Sequence, residues 1–160
     1  MNNQEMFDKY GFPFDLTGTK VNERKLFEAK NMLVWECNFP NMPPKIYINR
    51  DLQKPLHTAL DNLRKKKIQN QLLTFNGCYN PRPIRGYEGK FAAAIAKNDI
   101  KTAIKYVSKH SWGTAIDLNA AWNGLGKEPT LSPEFVKCFT DAGFTWGGTF
   151  KRLDGMHFEL

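Results

Sequence analysis

Ser108-Lys109-His110-Ser111-Trp112-Gly113-Thr114-Ala115-Ile116-Asp117-Leu118-Asn119 sets a histidine before a glycine and an aspartate after it, seven positions apart. Gly113 to Asn119 reads as a strand, with Gly113 supplying a bend at its entry. A second strand closes the chain around Met156 to Leu160. There His157 and Glu159 alternate with Met156 and Phe158, so one pair faces a site and the other a core. Away from these strands the periodicity is helical. Leu52, Leu56, Ala59, Leu60 and Leu63 recur at three- and four-residue intervals up to Lys65-Lys66-Lys67, an amphipathic helix with Pro55 in its first turn and its lysines against the negative end of the dipole. Phe91 to Ala96 and Ile100 to Val107 predict two short helices joined near Asn98-Asp99. Ser132-Pro133-Glu134 opens another helix, with Ser132 as N-cap and Gly143 as C-cap. Gln71 to Phe75, closed by Asn76-Gly77, has strand length. Helices and strands mix without a regular βαβ alternation. The expectation is an α+β fold, a small antiparallel sheet flanked by helices, rather than a doubly wound one.

The N-terminal part is less regular. Met1 to about Gly18 reads as an arm laid over the body, since Gly11, Pro13 and Gly18 interrupt every periodic run. Val21 to Met32 predicts a helix with Leu26, Phe27 and Ala29 inward, and Phe39 to Pro44 must be a loop. With 160 residues, no internal repeat and no linker, one domain over 1–160 is expected. A composition that is 41% hydrophobic and 24% charged excludes collagenous and wholly disordered classes. No apolar run is long enough for a membrane span, and Met1-Asn2-Asn3-Gln4-Glu5 lacks signal-peptide features, so a soluble chain made in the cytoplasm and not inserted in membrane is expected. Lys and Arg exceed Asp and Glu by 23 to 16, a net charge of +7 suited to a polyanion, whether nucleic acid or cell-wall polymer, or simply to solubility. Cys37, Cys78 and Cys138 are odd in number and widely spaced, and read as free thiols rather than a disulfide framework.

Two of the three histidines fall in dense polar clusters, 108–117 and 154–159, so a shared metal ion is the first chemistry to test. Two ligands of one zinc bring their donor atoms roughly 3 to 3.5 Å apart. Seven positions would separate His110 and Asp117 by about 10 Å along a helix and set them on opposite faces of a strand. The chain must therefore turn between them, with His110 arriving from a loop. Asp154 and His157 straddle the entry to the final strand. Spacing alone leaves several carboxylates eligible as ligand or base.

Ser108-x-His110-x-x-Gly113-x-Ala115-x-Asp117, followed by Trp146-Gly147-Gly148 and Asp154-Gly155-Met156-His157-Phe158-Glu159, resembles the zinc peptidases of the D-alanyl-D-alanine carboxypeptidase and L-alanyl-D-glutamate endopeptidase family. Gly77-Cys78-Tyr79-Asn80-Pro81-Arg82-Pro83 is similar to that family's Tyr-Asn-x-Arg segment. Single-domain bacteriophage endolysins are the nearest in kind. The matches span roughly Leu52 to Leu160. The resemblance implies a zinc site on the sheet, a catalytic core over 52–160, and residues 1–50 as an N-terminal arm and subdomain without a family match.

It further implies that His110, Asp117 and His157 hold zinc and leave its fourth position to water, with Asp154 as general base where many relatives carry Glu. Arg82 would bind the scissile carbonyl oxygen and stabilise the oxyanion; Tyr79-Asn80-Pro81-Arg82 selects it over Arg85. Ser108 lies where it can touch substrate, and Glu159 is read as orienting a histidine from behind. The implied activity is hydrolysis of a peptidoglycan stem-peptide amide, L-Ala to D-Glu, by zinc-activated water. The implied partner is bacterial peptidoglycan, bound by a monomer acting at the cell wall without nucleic acid. The 28 positions from Arg82 to His110 exceed the usual endolysin connection, so the helical stretch at 86–107 reads as an insertion.

A D-Ala-D-Ala carboxypeptidase or dipeptidase is the alternative within the class. A basic nucleic-acid module built on the helices around Lys97 to His110, and a zinc domain that has lost catalysis, stand outside it. His57, Trp112, Trp146 and Lys65-Lys66-Lys67 read as solvated or structural.

Overall fold

The computed structural model describes residues 1–15 and 23–160. The turn at Thr17-Gly18-Thr19 and the start of a helix at Val21 lie outside the described residues. The entry segment, expected to be irregular, begins with a helix, α1 (Asn3–Tyr10). Its signal is a capping box: the Asn2 side chain accepts from the Glu5 amide, and the Glu5 carboxylate accepts from the Asn2 amide at 3.1 Å. Helix α2 (Glu23–Asn31) ends earlier than its pattern suggests, and the chain passes directly into β1 (Met32–Trp35). Phe27 is buried, but Leu26 is 59% exposed and Ala29 also faces out, so the apolar positions read for this helix were only partly inward. The prolines of 39–44 form the expected loop, and β2 (Ile46–Asn49) returns antiparallel to β1.

Helix α3 (Arg50–Lys65) buries the leucine and alanine stripe foreseen in the sequence. Asn49 caps it, accepting from the Asp51 amide at 3.0 Å. Pro55 is the sixth helical residue rather than a first-turn residue, leaving the Asp51 carbonyl without its helical donor. The strand expected at 71–75 is a 3-10 turn, Gln69–Gln71, followed by extended chain. The Leu73 and Thr74 amides that a ladder would have used are taken instead by Asn119 Oδ1, at 2.8 and 3.1 Å. Helices α4 (Glu88–Ala96) and α5 (Ile100–Ala103) meet at Asn98-Asp99, where Asn98 is left-handed (φ 56°) and Asp99 caps α5.

After a 3-10 turn, Lys109–Trp112, the chain enters β3 (Ala115–Asp117), shorter than the span read from sequence. Helix α6 (Pro133–Thr140) has Ser132 as its cap, accepting from the Phe135 amide. Gly143, at φ 107°, closes it: its amide bonds the Thr140 carbonyl and the Phe144 amide reaches back to Phe139 O, which is the Schellman pattern. Strands β4 (Thr145–Trp146) and β5 (His157–Glu159) complete a three-stranded antiparallel sheet in the order β3-β5-β4.

The register of this sheet separates two environments. Ile116 pairs with Phe158 and Phe158 with Trp146, on the face packed against α3 and α6. Asp117 pairs with His157 and Ala115 with Glu159, on the opposite face. The core under the first face gathers the α3 stripe with Phe135, Phe139, Phe144, Ile46, Ile48 and Leu118. Each such side chain contributes roughly 1.5 to 3 kcal/mol on burial. A second apolar cluster joins Met6, Tyr10, Phe27, Met32, Val107 and Trp112. It ties α1 to the chain that follows α5, with Asn3 Nδ2 donating to the Ile104 and Val107 carbonyls at 2.7 and 2.8 Å. All three cysteines are free thiols, Cys78 and Cys138 buried and Cys37 partly so. Among the described residues no helix is long and apolar enough to cross a membrane.

Candidate metal centre

His110 sits in the 3-10 turn Lys109–Trp112, whose cap is Ser108; the serine hydroxyl accepts from the His110 amide at 3.3 Å. Gly113 ends the turn at φ 67°, and a Cβ there would lie 2.7 Å from Met32 Cε and 2.9 Å from Asn49 N. Only glycine fits both that conformation and that closeness, so the bend between His110 and Asp117 has a definite cause. The His110 ring is fixed from behind, its Nδ1 lying 2.7 Å from the Cys78 carbonyl. A carbonyl can only accept, so Nδ1 carries the proton and, in the neutral ring, Nε2 presents a lone pair. That Nε2 is buried without a hydrogen-bond partner, although Asp117 Oδ2 is 3.2 Å away. With Nδ1 protonated, the neutral ring sets one acceptor 3.2 Å from another, a contact that a shared cation would satisfy.

Asp117 and His157 are brought together by strand pairing, Asp117 Oδ1 lying 3.3 Å from His157 Nδ1. The other ring nitrogen, Nε2, donates to Glu159 Oε2 at 2.7 Å, and Glu159 Oε1 in turn accepts from Lys109 Nζ at 2.9 Å. Burial alone would lower the His157 pKa, but hydrogen bonds to Asp117 and Glu159 outweigh it and push the ring up to about 9. Burial works against the Asp117 charge, yet both histidines hold the carboxyl well below the usual carboxylate range. The Glu159 carboxyl is likewise lowered against burial, by His157 and Lys109.

One donor atom from each of His110, Asp117 and His157 lies within 4.8 Å of the others. Two imidazoles and a carboxylate, with an orphaned buried imidazole nitrogen among them, fit a tetrahedral divalent ion with one position open. Such an ion would meet Nε2 of His110 and Nδ1 of His157, each ring's opposite nitrogen being already committed.

The remaining residues singled out from sequence surround this cluster. Asp154 Oδ2 is 4.0 Å from His157 Nδ1, and burial raises its pKa. Arg82 lines the same cleft; its Nε is buried without a partner and its Nη1 donates to Pro83 O at 3.2 Å. Its backbone is clamped by Ser111, whose hydroxyl donates to Arg82 O and accepts from Arg82 N, both at 2.9 Å. Ser108 also lines the cleft while capping the His110 turn. His57, on the solvent face of α3, is exposed and remote from the cluster. The cleft holds about 1200 Å³ and its rims are the 82–87 loop and the 150–154 loop.

Three contributors escaped the sequence reading. Lys109 neighbours His110, but its partner Glu159 lies 50 residues on, a pairing no local pattern encodes. Cys78 acts through its backbone carbonyl, which any residue would supply. Gly147 is needed because a Cβ there would stand 2.4 Å from the Asp154 carbonyl; the run Trp146-Gly147-Gly148 enters the resemblance, but nothing in its spacing points to the Asp154 main chain as the neighbour.

No curated protein and no solved structure matches the chain. A family model described as D-alanyl-D-alanine carboxypeptidase matches residues 102–160, somewhat more than a third of the chain. That segment carries Ser108, His110, Asp117, Asp154, His157 and Glu159, and leaves Arg82 outside it.

Proposed function

We propose that the protein is a zinc-dependent peptidase of peptidoglycan stem peptides, endolysin-like in cutting the L-Ala to D-Glu bond and acting at the bacterial wall. The observation that carries the reading is the convergence of His110, Asp117 and His157, with His110 Nε2 buried and unsatisfied, inside a segment matching a peptidase family. Zinc, when bound, supplies a Lewis acid and lowers the pKa of water to about 7.

The chain's own groups supply the rest. Asp154, half-buried and with a raised pKa, is placed to take a proton from the attacking water and return it to the leaving amine. Arg82 presents a guanidinium to the cleft, where it can meet the negative charge that develops on the scissile carbonyl oxygen. Its pKa is lowered by burial and by the Arg85 charge, but from a value so high that the group stays cationic at any working pH. Ser111 holds the Arg82 backbone in place. Glu159 keeps its hydrogen bond to His157 and so fixes which ring nitrogen faces Asp117.

A D-Ala-D-Ala carboxypeptidase is the second reading, favoured by the description of the matching family. The cleft of about 1200 Å³, bounded by the 82–87 and 150–154 loops, has room for a stem peptide on either reading. The test is turbidity loss of outer-membrane-stripped cells with protein, with protein plus chelator, and with zinc restored, followed by mass spectrometry of the fragments. Chelator-sensitive lysis releasing an N-terminal D-Glu supports the proposal. Release of D-Ala alone selects the second reading, and no cleavage with any metal overturns both.

A further inference from the structure

The three candidate ligands are not held alike. Asp117 in β3 and His157 in β5 are set by strand pairing, whereas His110 stands on a four-residue 3-10 turn outside the sheet. The hydrogen bonds of so short a turn have poor geometry, so the aim of the His110 ring depends on what grips the turn from outside. The Cys78 carbonyl meets the ring, and the Asn80 amide donates to the His110 carbonyl at 3.0 Å. Much of the remaining grip falls on Trp112, two positions on, the largest of the fully buried side chains among the described residues.

Trp112 is held at both ends. Asn49 Nδ2 donates to its carbonyl at 3.0 Å, and its indole Nε1 donates to the Gly11 carbonyl at 2.9 Å. The two partners belong to separate elements, Asn49 capping α3 and Gly11 ending α1. Those elements are themselves joined: Tyr10 OH donates to Asp51 Oδ2 at 2.6 Å, and Lys9 Nζ lies 3.1 Å from the same oxygen. Tyr10-Gly11 and Asn49-Asp51 thus close a ring of contacts around the tryptophan. The other end of α1 grips the chain before the turn, where Asn3 donates to the Ile104 and Val107 carbonyls. Between these points the wholly buried Met6 meets Thr114, whose hydroxyl lies 3.6 Å from its sulfur and donates to the Lys109 carbonyl at 3.1 Å. One helix of eight residues and its cap therefore touch the chain before, within and after the turn that carries His110. Residues 3–11, Asn49 and Asp51 all lie outside the segment that matches the peptidase family.

We propose that α1 with its Gly11 cap is a positioning element of the metal centre, and that Trp112 is the positioning residue through which the place of α1 and of the α3 N-terminus fixes the aim of His110. The inference rests on the reading of His110, Asp117 and His157 as metal ligands and is independent of which bond is cut. Its physical content is preorganisation. A ligand already aimed spares the ion the cost of ordering the turn, so metal affinity reports the clamp directly.

The test measures zinc affinity, by competition with a chromophoric chelator, and the visible absorption of the cobalt(II)-substituted protein, at a temperature well below every melt. Wild type, Trp112→Phe, Tyr10→Phe and the double variant are compared. Trp112→Phe keeps an aromatic ring and removes the N–H that reaches Gly11; Tyr10→Phe removes only the hydroxyl that reaches Asp51. Leu63→Ala, in the apolar core beneath the other face of the sheet, is the control for lost stability alone. Each single variant is expected to bind zinc about three- to tenfold more weakly, the worth of one hydrogen bond. The double variant is expected to lose about ten- to a hundredfold, as outer partners of metal ligands do, with the cobalt absorption changed in position or intensity. Leu63→Ala should melt lower while keeping the wild-type zinc affinity and cobalt spectrum. Wild-type affinity and spectrum in the double variant, whatever its melt, overturn the positioning role, and so does an equal loss of affinity in Leu63→Ala. A wild type that binds no zinc overturns the metal-centre reading and this inference together. Turnover does not enter the measurement, so zinc binding that responds to the clamp without any peptide cleavage sinks the peptidase reading and keeps the clamp.

Discussion

Replacing Gly147 with alanine tests whether the approach of two backbone segments holds the candidate catalytic groups in place. The Gly147 carbonyl accepts from the Asp154 amide at 2.9 Å, and the Asp154 carbonyl accepts from the His157 amide at 3.1 Å. A Cβ at Gly147 would lie 2.4 Å from that Asp154 carbonyl oxygen and 3.1 Å from both the Asp154 and His157 Cβ atoms. Ordinary contact begins near 3.4 Å, so Asp154 must retreat by about 1 Å. The obstacle is main chain, which cannot swing aside as a side-chain tip would. Misplacement of a reacting group by about 1 Å can cost on the order of a hundredfold in rate, or about 2.7 kcal/mol of barrier. The overpacking itself costs roughly 1 to 3 kcal/mol of stability. The assay is peptide cleavage well below the midpoint of unfolding, beside thermal melts and zinc content. Gly89→Ala, in α4 with no atom within 4 Å of the new Cβ, is the control and is expected to be neutral or stabilising by about 0.5 to 1 kcal/mol. Gly147→Ala with wild-type rate and an unshifted melt would refute the claim that this close approach sets the position of Asp154.

Phe158→Ala removes a fully buried ring whose centroid lies 4.6 Å from that of Phe139, and is expected to cost about 3 to 5 kcal/mol in urea unfolding; a loss below about 1 kcal/mol would contradict the packing described. Lys109→Met removes one of the two partners of Glu159, whose side chain is 17% exposed, and leaves it His157; roughly 1.5 kcal/mol of stability and a measurable share of zinc affinity are expected to go, while Lys109→Arg should recover part of both. Metal-free protein should show a pH dependence set by His157: its folded pKa, raised to about 9 from 6.5, gives a contribution fully present below about pH 6.5 and lost as pH rises through about 9. Asp117, lowered by the same contacts, adds stability that is present above about pH 4 and lost in acid. Urea midpoints between pH 4 and 10 in chelator should therefore fall on the alkaline side, and His157→Gln should flatten that fall.

The parts of the fold legible in the sequence are those where a local cause decides the outcome. The α3 stripe, the Ser132 cap with its Gly143 terminator, and the Asn98-Asp99 break all rest on short-range spacing, and each element formed where that spacing put it. The β1–β2 hairpin was missed because four-residue strands joined through a proline-rich loop carry too little alternation to register. The apparent strand at 71–75 failed for a non-local reason: Asn119, more than forty residues away, takes the amides that a ladder needs. Helix α1 was legible in principle through Asn2 and Glu5, but Gly11 and Pro13 drew the reading toward irregular chain.

The candidate site divides along the same line. That the chain must turn between His110 and Asp117 follows from their spacing, and Gly113 is where it turns. The partner across the sheet is set by a register in which Asp117 meets His157, and no sequence separation of 40 residues specifies that. The register is fixed instead by the other face of the same strands. Because side chains alternate, seating Phe158 against Ile116 and Phe139 obliges His157 and Glu159 to face Asp117, Lys109 and the cleft. A slip of one residue would exchange the buried phenylalanine for two polar groups, so the apolar packing beneath the sheet enforces the alignment above it. The metal-centre geometry thus depends on residues that never touch it. Substitutions at Ile116, Phe139 or Phe158 that preserve volume should leave the ligand cluster intact, whereas those that loosen the strand pairing should separate His157 from Asp117 before the protein unfolds.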